Sequence, residues 1–209
     1  MVTLLLRQGG AALRVLLVAT VALGLVYPLA VWGVSRLPGL NARAEGSVVA
    51  APDGTPIASS LIGIDPMPAD PAADPYFHTR PSASAEDVLG PGDPSTSGGS
   101  NQSGFSDKLL GQVEQRRAAI AAREGVAPGA VPADAVTASG SGVDPHISPA
   151  YADLQATRVA RVTGLPELQV RQLVAGATDG RVLGFLGEPT VNVTRLNLAI
   201  AGAQATTGG

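Results

Sequence analysis

An uncharged stretch near the amino terminus places the strongest constraint on the fold of this chain. Residues 15–35 carry no charge, and eleven of these 21 residues are Leu or Val. At about 1.5 Å per residue, a helix of this length reaches roughly 31 Å, the thickness of a bilayer's hydrocarbon core. Tyr27 and Trp32 stand near its far end, where aromatic rings prefer the headgroup level, and Pro28 predicts a kink there. The sequence therefore predicts a transmembrane helix over residues 15–35, after a short basic segment over residues 1–14.

A cleavable signal peptide is the alternative to this anchor. The apolar core of a signal peptide spans about 7 to 15 residues, and Ala42-Arg43-Ala44 has the spacing of a cleavage site. The uncharged stretch is longer than that, and Arg36 interrupts the path to the site, so we predict a retained anchor. Two basic residues flank the span on each side, and the terminal amine breaks the tie. We expect a single-pass protein of the cell (inner) membrane, with a cytoplasmic N-terminus and an extracytoplasmic domain over residues 36–209.

Composition excludes several classes of function. The chain has no cysteine, which rules out a disulfide scaffold, a thiolate metal site and a cysteine nucleophile. Four of the 14 basic residues lie within the first 43, so the rest of the chain carries 17 acidic against 10 basic residues. An acidic domain does not displace the counterions of phosphate, and we therefore expect no nucleic acid among its partners.

The pattern after the span predicts a small α+β domain. Two short β-rich runs around Pro52-Asp53-Gly54 predict a hairpin within residues 46–64, whereas residues 65–104 are rich in Pro, Gly and Ser and lack periodicity. Ser106 is a good helix cap, and Phe105 is placed to staple onto Leu110. The remaining predicted elements are helices at 106–123, 148–163 and 166–177, and strands at 135–139 and, with a register break near Leu196, at 190–200.

None of the candidate motifs in the chain is complete. The glycines of Ser97-Gly98-Gly99-Ser100-Asn101 suit an anion-binding loop, but the Gly-Lys-Ser/Thr ending of a phosphate loop is missing. Asp144-Pro145-His146 offers two metal ligands, and two ligands do not make a site. The segment 159–174, with Gly164 between two helices, has the layout of a helix-turn-helix and would suit a cytoplasmic regulator. An acidic domain behind a membrane anchor argues against that function.

One helix face combines polar and apolar side chains. Tyr151, Gln155 and Arg158 follow i, i+4, i+7 spacing and share this face with Leu154. An arginine in such a stripe either pairs inside its own domain or contacts a partner protein, and the sequence leaves both alternatives open. The candidates for contact with a partner or with nucleotide are Ser97, Gly98, Gly99, Ser100, Asn101, His146, Ser148, Tyr151, Gln155 and Arg158.

Several sequence blocks, taken in their order along the chain, resemble one protein family, although no single motif is specific enough to indicate it. The blocks are Tyr76-Phe77-His78-Thr79-Arg80-Pro81-Ser82-Ala83, Ser97 to Asn101, Val136 to Ala152, Leu186-Gly187-Glu188-Pro189-Thr190-Val191-Asn192-Val193 and Leu196-Asn197-Leu198-Ala199. Together with Gln155, Arg158 and Val159, they resemble the KdpC family, which forms part of the Kdp high-affinity potassium-transporting ATPase. The resemblance runs from the span to about residue 200.

The resemblance implies a non-catalytic subunit of an ATP-driven potassium uptake complex. Its implied partners are a channel-like potassium-binding subunit, a catalytic P-type ATPase subunit and the lipid bilayer. It also implies a catalytic chaperone, which raises the ATP affinity of the catalytic subunit and shares ATP with it as a transient ligand, with no tightly bound cofactor. The chain itself lacks the Asp-Lys-Thr-Gly phosphorylation motif. The alternative is a free-standing, membrane-anchored binding module.

Overall fold

The computed structural model describes residues 1–51 and 54–207, and the chain divides into two units. The first unit, Met1–Val48, is dominated by helix. The second, which starts at Val49, mixes helices with short strands. This arrangement confirms the predicted fold class, an N-terminal apolar helix followed by a mixed α+β domain.

The first unit is built on one long apolar helix. Its parts are α1 (Val2–Val21), a π-helical turn (Ala22–Val26) and α2 (Tyr27–Ser35), which follow one another without a break. The 34 residues cover roughly 51 Å at about 1.5 Å each, more than a bilayer's hydrocarbon core. None of these side chains is buried, and among the described residues this is the one helix long and apolar enough to cross a membrane. It fits a single-pass membrane protein.

The irregularity predicted at Pro28 takes the form of the π-helical turn. Proline has no N–H, and its ring crowds the carbonyl four residues earlier, that of Gly24. A wider turn over Ala22–Val26 removes this conflict while the backbone stays helical. After the helix, Arg36 lies 5.2 Å from the centroid of the Trp32 ring and pairs with Glu45 at 2.6 Å.

The second unit is a sequence of short strands and medium-length helices. Its elements are β1 (Val48–Ala50), β2 (Pro56–Ser59), a 3₁₀ turn (Pro71–Ala73), α4 (Asp107–Glu124), a second 3₁₀ turn (Pro128–Ala130), α5 (Ala133–Val136), β3 (His146–Ile147), α6 (Pro149–Thr163), α7 (Glu167–Gly176), β4 (Thr178–Asp179), β5 (Thr190–Asn192) and α8 (Val193–Thr207). A short helix, α3 (Asn41–Ala44), precedes them in the first unit. The predicted hairpin is present as β1 and β2, and Pro52 and Asp53 of its turn lie outside the described residues.

The main helices begin and end where their capping residues predict. Ser106 accepts a hydrogen bond from the Leu109 N–H and starts α4, and Ser148 accepts one from the Tyr151 N–H and starts α6. Both helices end at a glycine in the left-handed region, Gly125 at φ 68° and Gly164 at φ 73°. The helix predicted after Pro166 is confirmed as α7.

A three-stranded antiparallel sheet supports the last part of the chain. Its order is β3-β5-β4, with His146 opposite Asn192 and Thr178 opposite Val191. The strand predicted at 190–200 is wrong beyond Asn192, where α8 begins. Asn192 Oδ1 accepts a hydrogen bond from the Arg195 N–H at 3.0 Å and caps the helix. The register break near Leu196 was the helical signal, because the buried side chains at 3- and 4-residue spacing are Val193, Leu196 and Ile200.

Two further predictions are wrong. The strand predicted at 135–139 does not form. Ala135 and Val136 belong to α5, where an acidic first turn favours a helix start and Thr137 Oγ1 bonds back to the Ala133 carbonyl at 2.7 Å, and residues 137–139 lie outside helices and strands. The staple of Phe105 onto Leu110 does not form, because the Phe105 side chain is fully exposed. The first error overlooked a local helix start, and the second assumed a local contact that the structure does not contain.

Segment 65–104 is irregular, as predicted, with the 3₁₀ turn at Pro71–Ala73 as its one helical element. It is nevertheless anchored, because Phe77 is completely buried in the core. The other large core side chains come from α4, α6, α7, α8 and the sheet: Ile120, Ile147, Tyr151, Val159, Val170, Val191 and Leu196. The irregular segment therefore belongs to the same core as the helices.

Candidate functional site

Two side-chain amides pair with the backbone of the irregular segment, as a neighbouring strand would do in a sheet. Gln155 of α6 accepts a hydrogen bond from the His78 N–H at 2.8 Å and donates to the His78 carbonyl at 3.2 Å. Asn197 of α8 does the same for Phe77, with both hydrogen bonds at 2.8 Å. Consecutive residues of an extended chain direct their backbone groups to opposite sides, so α6 and α8 hold the segment from both sides. We call this arrangement the amide clamp.

Arg158 joins the same segment to two buried carboxylates. Its side chain is 4% exposed; Nη1 lies 2.7 Å from the Asp74 carbonyl and 3.2 Å from Asp74 Oδ2, and Nη2 lies 2.9 Å from the Tyr76 carbonyl. Its Nε donates to Glu124 Oε2 at 3.0 Å. Of the two alternatives for this arginine, the structure shows the pair inside the domain. Arginine suits this position because its planar fork serves several acceptors at once.

His78 lies between two buried aspartates. Its Nδ1 is 3.0 Å from Asp65 Oδ1 and its Nε2 is 2.6 Å from Asp74 Oδ2. Ionised carboxylates only accept hydrogen bonds, so an imidazole that donates to such groups from both ring nitrogens is in its protonated form. Burial opposes the charge, but the hydrogen bonds to the two aspartates outweigh it and raise the pKa of His78. Burial alone would raise the pKa of Asp74. The interactions with His78, the Tyr76 N–H and Arg158 outweigh burial and lower this pKa.

The charges of this region balance when His78 is protonated. We define the charge cluster as the three acids and three bases Asp65, Asp74, Glu124, His78, Arg123 and Arg158. Arg123 completes it by donating to Glu124 Oε1 at 2.7 Å and to the Tyr151 hydroxyl at 2.9 Å. Burial raises the pKa of Tyr151 to about 12, so this phenol stays neutral. A buried group of ions is tolerated only when each is paired in this way.

A cavity of about 380 Å³ opens beside the charge cluster. Asp65, Asp74, His78 and Arg123 form its polar wall. Its other lining residues are Pro66, Met67, Pro68, Pro71, Leu89 and Gly90. A mostly apolar cavity with a few converging polar groups has the general character of a ligand site.

The Ser97–Asn101 loop packs against a second glycine-rich loop, Ser139–Gly142. The Gly98 N–H donates to the Ser141 carbonyl at 2.8 Å. A Cβ on Gly99 would lie 3.1 Å from the Gly140 carbonyl oxygen, and one on Gly142, at φ 76°, would lie 3.0 Å from the Gly98 carbonyl oxygen. The glycines therefore permit two backbones to approach closely.

His146 and Ser148 have structural partners of their own. His146 Nδ1 lies 3.0 Å from Asp144 Oδ1, and its Nε2 lies 3.3 Å from Asn192 Nδ2. Ser148 caps α6 and donates from its hydroxyl to Asp134 Oδ1 at 2.8 Å. Among the described residues, no group of three or more His, Asp or Glu side chains is arranged to hold a metal ion.

The structure brings together only part of the sequence-derived candidates. Tyr151, Gln155 and Arg158 converge on the charge cluster and are buried, whereas Ser97 to Asn101 lie against the other glycine loop. Sequence reasoning missed Asp65, Asp74, His78, Arg123, Glu124 and Asn197. His78 and Asn197 stood within blocks of the family resemblance, but the two aspartates lie in a segment without periodicity and gave no signal.

Comparison with known proteins identifies the family. The family model described as "KdpC: K+-transporting ATPase, c chain" matches residues 10–202. A potassium-transporting ATPase KdpC subunit of Kineococcus radiotolerans is 54% identical over 201 residues, which cover 96% of each chain. Proteins of the same name from Koribacter versatilis and Polaromonas naphthalenivorans are 44% and 48% identical, and the alignments cover 90% of this chain and 90% and 91% of theirs. Since both the family model and these relatives extend over nearly the whole sequence, this chain belongs to the KdpC family and is a subunit of a potassium-transporting ATPase.

Proposed function

We propose that this chain is a non-catalytic accessory subunit that assembles with the catalytic P-type ATPase subunit and a channel-like potassium-binding subunit. The observation that carries the proposal is the saturation of the charge cluster. Each of its ions bonds to another group of the same domain, so the folded domain itself accounts for the cluster, without a substrate. Residues 15–35 also contain no Asp, Glu, Lys, Arg or His to line an ion path through the bilayer.

The anchor belongs in the cell (inner) membrane, with the N-terminus in the cytoplasm and the folded domain outside. A long trailing domain crosses largely regardless of its charge, and the terminal amine favours the cytoplasmic side for residue 1. The topology is tested by fusing alkaline phosphatase after Gly209, which is expected to be active there. The same enzyme fused before Met1 is the control and is expected to be inactive. The reverse pattern would support the cytoplasmic regulator instead.

The effect on ATP is proposed to arise through assembly. With the domain and the ATP site on opposite sides of the bilayer, the subunit raises ATP affinity by favouring one conformation of the complex. ATP is then at most a transient ligand shared with the catalytic subunit, and no cofactor is tightly bound. The packing of Ser97–Asn101 on the neighbouring glycine loop is consistent with a structural role for these glycines.

Co-purification and ATP kinetics test this function together. The tagged chain, recovered from native membranes, is expected to bring two larger membrane proteins identified by mass spectrometry. A complex prepared without the chain should need about fivefold or more ATP for half-maximal hydrolysis, the lower end of typical coupling between sites. A chain that purifies alone from its native membrane would contradict the proposal.

The cavity of about 380 Å³ favours one second candidate, the free-standing binding module. In that case the chain is expected to purify without other subunits and to be stabilised by a small ligand. The same purification from native membranes therefore separates the two functions, because an accessory subunit requires its partners and a binding module does not.

A further inference from the structure

The loop between β4 and β5 ends in a group of exposed apolar side chains. We define the apolar tip as Val182, Leu183, Phe185 and Leu186, whose exposed fractions lie between 50% and 79%. Four large apolar residues within five positions form a contiguous patch, whereas single exposed apolar residues are ordinary on a protein surface. The tip contributes nothing to the core of its own domain, so its apolar character requires another explanation.

The tip is an ordered turn with a defined shape. Val182 and Leu186 exchange two backbone hydrogen bonds of 2.9 Å, and the Phe185 N–H donates to the Val182 carbonyl at 3.3 Å. Leu183 at φ 55° and Gly184 at φ 81° both adopt positive φ, as a type I′ turn requires. Asparagine or glycine would adopt this backbone at lower cost than leucine. The leucine thus places an apolar side chain at the apex against its own conformational preference.

A bilayer surface does not suit the tip. Residues 180–188 contain no Trp, Tyr or Lys, which are the side chains that anchor proteins at the headgroup level. The single basic residue of this stretch, Arg181, pairs with Glu188 at 2.5 Å.

A second copy of the chain does not suit the tip either. A symmetric contact between two turns of five residues would bury far less than the roughly 1,200 Å² at the lower end of stable protein interfaces. A convex apolar turn buries its side chains well only in a concave surface. The chain is a subunit of a potassium-transporting ATPase. A concave surface on another subunit of that ATPase would therefore cover the tip.

We propose that the apolar tip inserts into a concave apolar pocket on another protein subunit of the same ATPase complex. This inference rests on the proposed function and adds the contact surface to it. Leu183 and Phe185 are the anchors, because they are the two most exposed side chains of the tip. Buried apolar and aromatic anchors of this kind carry most of the binding energy of an interface.

The test uses the full chain in its complex. Leu183→Asn combined with Phe185→Ser removes both anchors, and asparagine favours the positive φ of position 183, so the turn is retained. We expect at least about tenfold lower recovery of the other subunits after detergent dilution, with an unchanged thermal midpoint of the chain itself. Leu168→Asn is the matched control, because Leu168 on α7 is 71% exposed and lies outside the tip.

A photo-crosslinking residue at position 183 identifies what covers the tip. The expected product joins this chain to a different protein subunit. Adducts with lipid, with a second copy of the chain, or with no protein would overturn the proposal. Equal recovery of the other subunits with the double variant and with the control would also overturn the proposed tip contact. If the wild-type chain still co-purifies with its partners in that case, the proposed function stands.

Discussion

Replacing Arg158 with alanine is expected to lower the free energy of unfolding of the domain by about 3 to 5 kcal/mol. The substitution leaves Asp74 and Glu124 buried without their shared cation. It also removes the donors to the carbonyls of Asp74 and Tyr76, so the irregular segment loses two attachments to α6. Asp74 keeps His78 and Glu124 keeps Arg123, but three buried acids then face two bases. An unbalanced buried charge is among the few causes of so large an effect from one substitution.

The measurement is guanidinium unfolding of the full chain in detergent, followed by circular dichroism. Arg171→Ala is the control, because Arg171 pairs with Asp153 and Glu167 on the exposed surface and its loss should cost less than about 1 kcal/mol. An Arg158→Ala chain of normal stability that no longer brings the other subunits would show that Arg158 acts at an interface. That result would contradict the internal pair.

The folded domain is expected to lose stability as the pH rises above 6.5 and through the folded pKa of His78. The pKa of His78 is raised in the folded state above its ordinary value of 6.5, since Asp65 and Asp74 hold the imidazolium. The stabilisation is therefore complete below pH 6.5 and disappears as the pH rises through the folded pKa. Asp74 acts in the opposite direction: its pKa is lowered, so its contribution is present above pH 3.8 and is lost as the pH falls through the folded value.

The variant His78→Gln isolates the contribution of the imidazole to this pH dependence. It removes one buried cation from the charge cluster, and we expect a loss of about 3 kcal/mol at pH 6, since hydrogen bonds to charged groups contribute about 1.5 to 3 kcal/mol each. The loss should shrink as the pH rises through the folded pKa of His78, above which the wild-type imidazole is itself neutral. His146→Gln is the control and should retain the decline in stability with rising pH, because His78 is intact. Parallel stability curves for wild type and His78→Gln between pH 6 and 10 would contradict this account.

Local chemistry predicted α4, α6 and α7, whereas α5 and α8 lie where strands were predicted. Ser106, Ser148, Gly125 and Gly164 act within one turn of the chain, so the ends of α4 and α6 followed from sequence. The start of α8 depends on Asn192, which serves two functions, as the last residue of β5 and as the cap of the next helix. The apolar residues across that junction alternate with polar ones, as in a strand, and this alternation breaks only at Leu196.

The candidate site was predictable only on its helical side. The spacing of Tyr151, Gln155 and Arg158 defines one face of α6, and the structure confirms that this face is shared. Its partners, Asp65 and Asp74, lie in an irregular segment, where no periodicity indicates which side chains turn inward. Their positions follow from the amide clamp, whose hydrogen bonds join residues that are 77 and 120 positions apart in the chain.

The amide clamp also affects how this subunit behaves before it has partners. An extended segment such as residues 74–79 normally exposes unpaired N–H and C=O groups, and these form a template onto which another chain can add a strand. Gln155 and Asn197 occupy the backbone groups of His78 and Phe77. A side-chain amide ends the hydrogen-bonded ladder, since it has no further backbone to offer. The subunit thus carries an extended segment in its centre that is closed to strand addition, and it is protected from aggregation at that segment while it awaits assembly.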